Sequence, residues 1–199
     1  KIKEDEKIVI VTNDRDILQL INDRIGVYII NKKRIITTTN YSDYFNHHYT
    51  NLKLLKILSG DNSDNIKGIK GVSEKTIIKY FPEFVKKTLT LEEIFSKIEN
   101  IQSERKNRLK TLDNIINKVT VGVQGESIFD VNEKIINLKK PLLTENSINV
   151  LNDLFSSPID PEDRTTKNVI KMMLEDGLTM AIPGGRDGYI NFLQPFLRI

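Results

Sequence analysis

The sequence predicts an α/β protein, with a parallel-sheet core first and helices after it. Three observations carry this. Lys7-Ile8-Val9-Ile10-Val11-Thr12 is a nearly continuous β-branched run, which suits a parallel strand buried on both faces. It ends in the acidic turn Asn13-Asp14-Arg15-Asp16, and Ile17 to Ile21 continues as a helix. Strand, acidic turn, helix is the layout in which α/β proteins place sites at the carboxyl ends of strands. From Ser73 onward, apolar residues recur mostly at helical spacing, which gives a helical C-terminal region.

The remaining elements follow in order. Val27 to Ile30 and Arg34 to Thr37 flank Asn31-Lys32-Lys33, the pattern of a β-hairpin. Tyr41 to His48 suits a short helix, and Leu52 to Leu58 a helix that stops at Ser59-Gly60. Ser73 is placed to cap a helix through Tyr80, with Pro82 beyond its end. Leu91 to Ile98, Ser103 to Lys118, Ser147 to Leu154 and Lys167 to Leu174 have helical periodicity. Loops are expected over 119–125 and 157–161, and a flexible turn over 183–188 before an apolar terminal peptide. Three regions result: 1–58 as the end of an α/β core, 59–125 around a glycine hairpin, and 126–199 as a helical region with its tail.

Composition excludes several chemistries. None of the 199 residues is cysteine, so disulfides, thiolate zinc sites and cysteine nucleophiles are out. The two histidines, His47 and His48, are adjacent and lack the spacing of a histidine metal site or a Ser/His/Asp triad. No apolar run reaches membrane-spanning length and no signal peptide is visible. A cytoplasmic protein without membrane partners is expected. Net charge is only +3, but its placement is uneven. Lys67, Lys70, Lys75 and Lys79 surround Gly68 to Ser73 with Glu74 as the one acid among them, and Arg105, Lys106, Arg108 and Lys110 form a second basic run. Such clusters suit a phosphate backbone; a solvated helix face explains the second equally well.

The chemistry concentrates in Gly60 to Thr76. Asp61 and Asp64 lie three residues apart, so both carboxylates can face one side of a helical turn and hold a hard divalent cation. Asp14 and Asp16 add two more, and two Mg²⁺ ions about 3.5–4 Å apart would clamp the attacking and leaving oxygens of a phosphodiester. Each pair also has a structural reading, as a helix-capping turn or an Asx turn. Gly68-Ile69-Lys70-Gly71 has the pattern of a helix-hairpin-helix. Ile69 and Val72 would pack between the helices, Gly68 and Gly71 would permit the tight turn, and the hairpin N–H groups would grip phosphate without reading bases. A metal site beside a phosphate grip implies cleavage of a nucleic-acid backbone.

Thr12-Asn13-Asp14-Arg15-Asp16-Ile17-Leu18-Gln19-Leu20 and Gly60 to Thr76 resemble, in order, two segments of the 5′ nuclease (flap endonuclease) superfamily. The helical region after the hairpin is most similar to the T-even bacteriophage ribonuclease H branch. The resemblance implies a PIN-like parallel-sheet nuclease core, then a helix-hairpin-helix of the helix-three-turn-helix kind. It implies a two-metal 5′-3′ exonuclease and flap endonuclease with ribonuclease H-like activity, removing RNA primers and 5′ flaps in replication. Asp14, Asp16 and Asp64 match catalytic metal ligands, and Asp61 a further acidic position. Lys67, Gly68, Ile69, Lys70, Gly71, Val72, Ser73, Lys75 and Thr76 match the duplex-binding hairpin, which in the family often holds K⁺ through backbone carbonyls. Mg²⁺ is the implied cofactor, with Mn²⁺ able to replace it. Branched or nicked duplex DNA and RNA–DNA hybrids are the implied partners, in host cytoplasm if the chain is phage-encoded.

Two departures stand out. Ser73 replaces the usual second hairpin glycine. The family's other metal-site carboxylates lie upstream of the matched segments, and no acidic cluster here replaces them; Lys1 to Glu6 reads as a solvated lead-in. The chain is therefore expected to be the C-terminal part of such an enzyme, needing an upstream half for full activity and leaving a sheet edge and an apolar face uncovered. A rival reading is a non-catalytic duplex-binding module whose acids only cap turns. A third is a replication-partner scaffold using Gln194-Pro195-Phe196-Leu197-Arg198-Ile199, loosely similar to clamp-binding peptides, to engage a sliding clamp or single-strand-binding protein. A tail docked on its own core is the plainer alternative.

Overall fold

In the computed structural model, residues 5–119, 128–158, 165–178, 184, 188 and 191–194 are described here. The expected loop over 120–125, most of the Pro/Asp loop, most of 183–188 and the terminal peptide beyond Gln194 lie outside them. The chain divides into two compact units, residues 1–142 and 143–199.

The first unit begins with a three-stranded sheet in the order β1 (Ile8–Thr12), β2 (Ile25–Ile29), β3 (Arg34–Ile36). β1 and β2 are parallel, pairing Ile8 with Ile25 through Thr12 with Ile29. β2 and β3 are antiparallel, pairing Val27 with Ile36 and Ile29 with Arg34, and Lys33 closes their turn in the left-handed region (φ 49°). The crossover from β1 to β2 is short and contains only a 3-10 turn, Asp16–Leu20, where the sequence suggested a longer helix.

One face of this sheet is covered. Val27, Ile29 and Ile36 pack with Leu18, Ile21, Tyr41 and Leu52. The other face is not. Val9, Val11 and Ile35 are 48%, 63% and 44% exposed. β1 is therefore an edge strand buried on one side only, and the expectation of burial on both faces fails. The reason is that no described element packs on the second face, which matches the uncovered edge and face anticipated above.

The 41–51 segment forms two 3-10 turns, Tyr41–Asp43 and Tyr49–Asn51, rather than one helix. α1 (Leu52–Ser59) follows as expected. It sits between two cores: Leu52 faces the sheet cluster, while Leu54, Leu55, Ile57 and Leu58 join a larger one. That larger core collects Ile69 and Val72 from the hairpin, Ile77 from α2 (Glu74–Tyr80), and Phe81 and Phe84 just beyond it. It continues with Ile94 and Ile98 of α3 (Leu91–Ser103), Leu112 and Ile115 of α4 (Lys110–Ile116), and Phe129 and Ile136 of α5 (Ile128–Ile136).

Buried amides pin the connections. Asn51 Nδ2 donates to the carbonyls of Phe84 (2.9 Å) and Lys87 (2.7 Å), and its Oδ1 accepts from Leu89 N–H (3.0 Å). Gln102 donates to Leu109 O (3.0 Å) and accepts from Leu109 N–H (2.9 Å). That bond pair closes the loop after α3, so the helix expected from Ser103 starts only at Lys110. α3 runs past Ile98 because Thr90 and Glu93 form a reciprocal capping box at its start. α5 has no counterpart among the sequence expectations.

In the second unit, α6 (Glu145–Ser156) and α7 (Thr166–Glu175) each start at a threonine cap. Thr144 Oγ1 accepts from Ser147 N–H and Thr165 Oγ1 from Asn168 N–H, both at 3.1 Å. No helix among the described residues is long and apolar enough to cross a membrane.

Candidate functional site

The carboxyl end of β1 and the end of α1 meet at a cleft of about 600 Å³. The turn after β1 supplies Asn13, Asp14, Arg15 and Asp16; α1 supplies Lys56; the segment after it supplies Asp61, Ser63 and Asp64. Local chemistry fixes the β1 turn. Thr12 Oγ1 accepts from Asp14 N–H (3.0 Å), and Asp14 Oδ1 accepts from Asp16 N–H (2.8 Å). Asn13 Oδ1 accepts from Asn31 N–H (2.8 Å), tying the turn to the end of β2.

After α1, β4 (Gly60–Asp61) and β5 (Ile66–Lys67) form a two-residue antiparallel ladder. Its glycines are required by close approach. Gly60 lies at φ +76°, and a Cβ on Gly68 would sit 2.2 Å from the carbonyl carbon of Ser59. Gly68 thus permits backbone contact with the end of α1, whereas Gly71, at φ +80°, is the residue that makes the tight turn.

Carboxylate oxygens of Asp16, Asp61 and Asp64 lie within 4.8 Å of one another. Asp14 lines the same cleft but stands outside this trio. The trio already has one cation. Lys56 Nζ donates to Asp61 Oδ2 at 2.5 Å and pairs with Asp16 Oδ1. Its side chain is 15% exposed, so the contact is shielded from solvent. Hydrogen bonds from Lys56, and secondarily from the Ser63 hydroxyl, hold the Asp61 carboxyl at a pKa of about 2, below its ordinary 3.8.

Three cleft residues were not singled out from sequence. Lys56 carried a signal, since it lies five residues before Asp61 on a helix ending at Gly60. Glu74, the first residue of α2, lines the cleft; it read as an acid among lysines. His47 is 3% exposed and also lines the cleft. Its Nε2 lies 3.4 Å from Tyr41 Oη and its Nδ1 3.1 Å from His48 O. Burial lowers its pKa and raises that of Tyr41. Both ring nitrogens are engaged within the protein.

The hairpin lies between the ladder and α2. Ile69 and Val72 are buried at 3% and 8% exposure, as their sequence pattern suggested. Two of its N–H groups are committed internally: Ile69 donates to Leu58 O (2.8 Å) and Lys70 to Val119 O (2.9 Å). Val72 N–H closes the turn onto Ile69 O at 3.0 Å. Among the described residues, the N–H groups of Gly71 and Ser73 have no partner, so the outward-facing donors are fewer than the motif suggests. Ser73 caps α2, accepting from Thr76 N–H at 3.3 Å, which accounts for serine in place of glycine. Lys67 O is held by Asn132 Nδ2 of α5 (2.6 Å) and Lys70 O by Asn114 Nδ2 of α4 (2.9 Å). The Lys67, Lys70 and Lys75 residues themselves are exposed.

Comparison with known proteins bears on this arrangement. No protein-family model matches the chain. A 5′-3′ exonuclease of Buchnera aphidicola subsp. Schizaphis graminum (strain Sg) is 34% identical over 98 residues, 49% of this chain and 33% of that protein. A solved T5 5′-exonuclease with zinc ions bound is similar in fold, with a TM-score of 0.50 and 19% identity over 67% of this chain and 44% of that one. A mutant T5 5′-exonuclease gives 0.48 and 18%, over 66% and 47%. The chain thus spans about a third of the curated relative and under half of the solved ones. Over the span it shares, the residue match and the α/β fold make this chain a member of the 5′ nuclease superfamily.

Proposed function

We propose that this chain forms part of a metal-dependent 5′ nuclease acting on branched or nicked duplex DNA and on RNA–DNA hybrids, as in removal of RNA primers and 5′ flaps. The observation that carries the reading is the convergence of Asp16, Asp61 and Asp64 within 4.8 Å, reached from both ends of the matched sequence. Three carboxylates that close repel one another unless a cation neutralises them, and their oxygen-only donor set suits Mg²⁺ or Mn²⁺. A bound hard cation supplies Lewis-acid polarisation of the phosphoryl oxygen and a more acidic water. Asp14, on the same cleft, is the residue to reach a second ion.

The chain's own groups do the positioning. Gly71 and Ser73 N–H groups face a strand phosphate, and Lys67, Lys70 and Lys75 add charge that would make binding weaken steeply with salt. Hairpin carbonyls are a second expected ion site, for K⁺; those of Ile69 and Lys70 each already accept one hydrogen bond and keep a second lone pair.

One observation favours the rival, a non-catalytic duplex-binding module: Lys56 already neutralises two of the three acids. The deciding experiment compares wild type with Asp64→Asn for Mg²⁺-dependent thermal stabilisation, for cutting of a 5′-labelled flap duplex in Mg²⁺ and in EDTA, and for duplex binding. The nuclease reading expects wild type to be stabilised by Mg²⁺ and the variant not, with duplex binding equal. No Mg²⁺ stabilisation and no Mg²⁺-dependent cutting in either protein would leave the binding module.

A further inference from the structure

A second cavity, of about 290 Å³, shares no lining residue with the carboxylate cleft. Its floor includes Gln19, which is 6% exposed, and neither the Nε2 nor the Oε1 of that side chain has a hydrogen-bond partner. A buried amide with both ends unpaired costs about 1–3 kcal/mol for each unmet group, so something polar belongs there. The charge of the walls says what. Lys53, Lys139 and Lys140 line the cavity. Lys53 is paired with Glu133 at 3.2 Å. Among the described residues, Lys139 and Lys140 form no ion pair, and no carboxylate lines the cavity.

The two free lysines are held in place. They follow α5 in a turn closed by Lys140 N–H to Asn137 O (3.1 Å), with Lys139 N–H to Asn137 Oδ1 (3.2 Å). The C-terminal end of α5 brings partial negative charge nearby, which two full ammonium charges outweigh. The Thr50 hydroxyl on the opposite wall is engaged by His48 Nδ1 (2.7 Å) and Thr88 Oγ1 (2.8 Å), so it serves as wall rather than ligand. The volume is at the lower end of the ligand-pocket range, about 300–1,000 Å³. It admits a phosphate with water, or a mononucleotide.

We propose that this cavity is a phosphate-binding site in which Gln19 Nε2 donates to a phosphate oxygen while Lys139 and Lys140 neutralise its charge. Gln19 Oε1 then accepts from one of the two ammonium groups, so both ends of the amide are satisfied by one occupant. The phosphate comes either from a nucleic-acid strand or from a free phosphate monoester. The site involves none of the clustered carboxylates and stands independently of the cleavage reading.

The test follows the side-chain amide resonance of Gln19 by ¹⁵N NMR in the whole chain, assigned through bonds and checked by its loss in Gln19→Met. Inorganic phosphate, adenosine 5′-monophosphate and a short DNA duplex are titrated separately at constant ionic strength, without divalent metal. The expected result is a saturable shift of that resonance, with affinity reduced about tenfold or more in Lys139→Gln/Lys140→Gln, since a charge-assisted bond contributes about 1.5–3 kcal/mol. Saturation by phosphate or nucleotide assigns a free monoester; a shift with duplex alone assigns a strand phosphate. No shift with any of the three overturns the proposal, because the amide is then met by water. A shift that persists unchanged in the double lysine variant overturns it as well.

Discussion

Replacing Lys56 with methionine tests the electrostatics of the carboxylate cleft directly. Methionine keeps most of the buried stem and removes only the charge. In the wild type, the ammonium bridges Asp16 and Asp61, within a trio whose oxygens lie no more than 4.8 Å apart. Two unit charges at that separation repel by about 0.9 kcal/mol in bulk water and about 3.5 kcal/mol at an effective dielectric of ~20. The site is partly shielded, so Lys56→Met is expected to destabilise the metal-free protein by about 2 kcal/mol. For a chain of this length that lowers Tm by about 4–8 °C. The same variant lacks the cation that competes with metal, so its stabilisation by Mg²⁺ should be larger than the wild type's. Melting curves of both proteins in EDTA and across a Mg²⁺ titration measure both quantities. An unchanged Tm in EDTA together with an unchanged Mg²⁺ response would refute the argument, showing that Lys56 is not the counter-ion of the trio.

Two further perturbations separate the causes at work around the ladder. The Asp61 pKa, about 2 against an ordinary 3.8, is a depressed acid. Its contribution is therefore fully present above about pH 4 and is lost as pH falls through about 2. The stability gap between wild type and Asp61→Asn, measured by denaturant melts in EDTA, should shrink between those pH values; a gap independent of pH would contradict the assigned cause. Gly68→Ala places a Cβ 2.2 Å from Ser59 backbone and 2.3 Å from Gly60 N, and is expected to cost about 3 kcal/mol or more because backbone must move. Gly177→Ala is the control: its φ is +69° but nothing lies within 4 Å, so about 1 kcal/mol of backbone strain is the whole effect.

The parts of the molecule legible from sequence are those set by local chemistry. β1 announced itself through an unbroken β-branched run, α2 through its Ser73 cap, and the hairpin core through Ile69 and Val72. Three of the four acids singled out do converge. What stayed hidden depends on contacts distant in the chain. Asp14 and Asp16 look equivalent in sequence, yet Asp14 spends an oxygen on Asp16 N–H while Asp16 meets residues more than forty positions away. The hairpin N–H groups looked equally available until Leu58 and Val119 were seen to accept two of them. α5 was missed although Phe129 and Ile136 are core residues, because its segment follows a glycine-broken stretch that masks its period. The helix expected from Ser103 was overextended because apolar spacing cannot register that Gln102 folds the chain back onto Leu109.

The β4–β5 ladder has a further consequence. Asp61 pairs with Ile66 and Gly60 with Lys67, and Gly68 follows at once. The carboxylate and the hairpin are thus joined by two cross-strand pairs, with no hinge between them. If the hairpin grips one phosphate while the acids act at another, the offset between the two is set like the jaws of a fixed-gap gauge. Swinging other parts of a larger assembly would change whether a strand is engaged, but not how many nucleotides separate the gripped bond from the one that breaks.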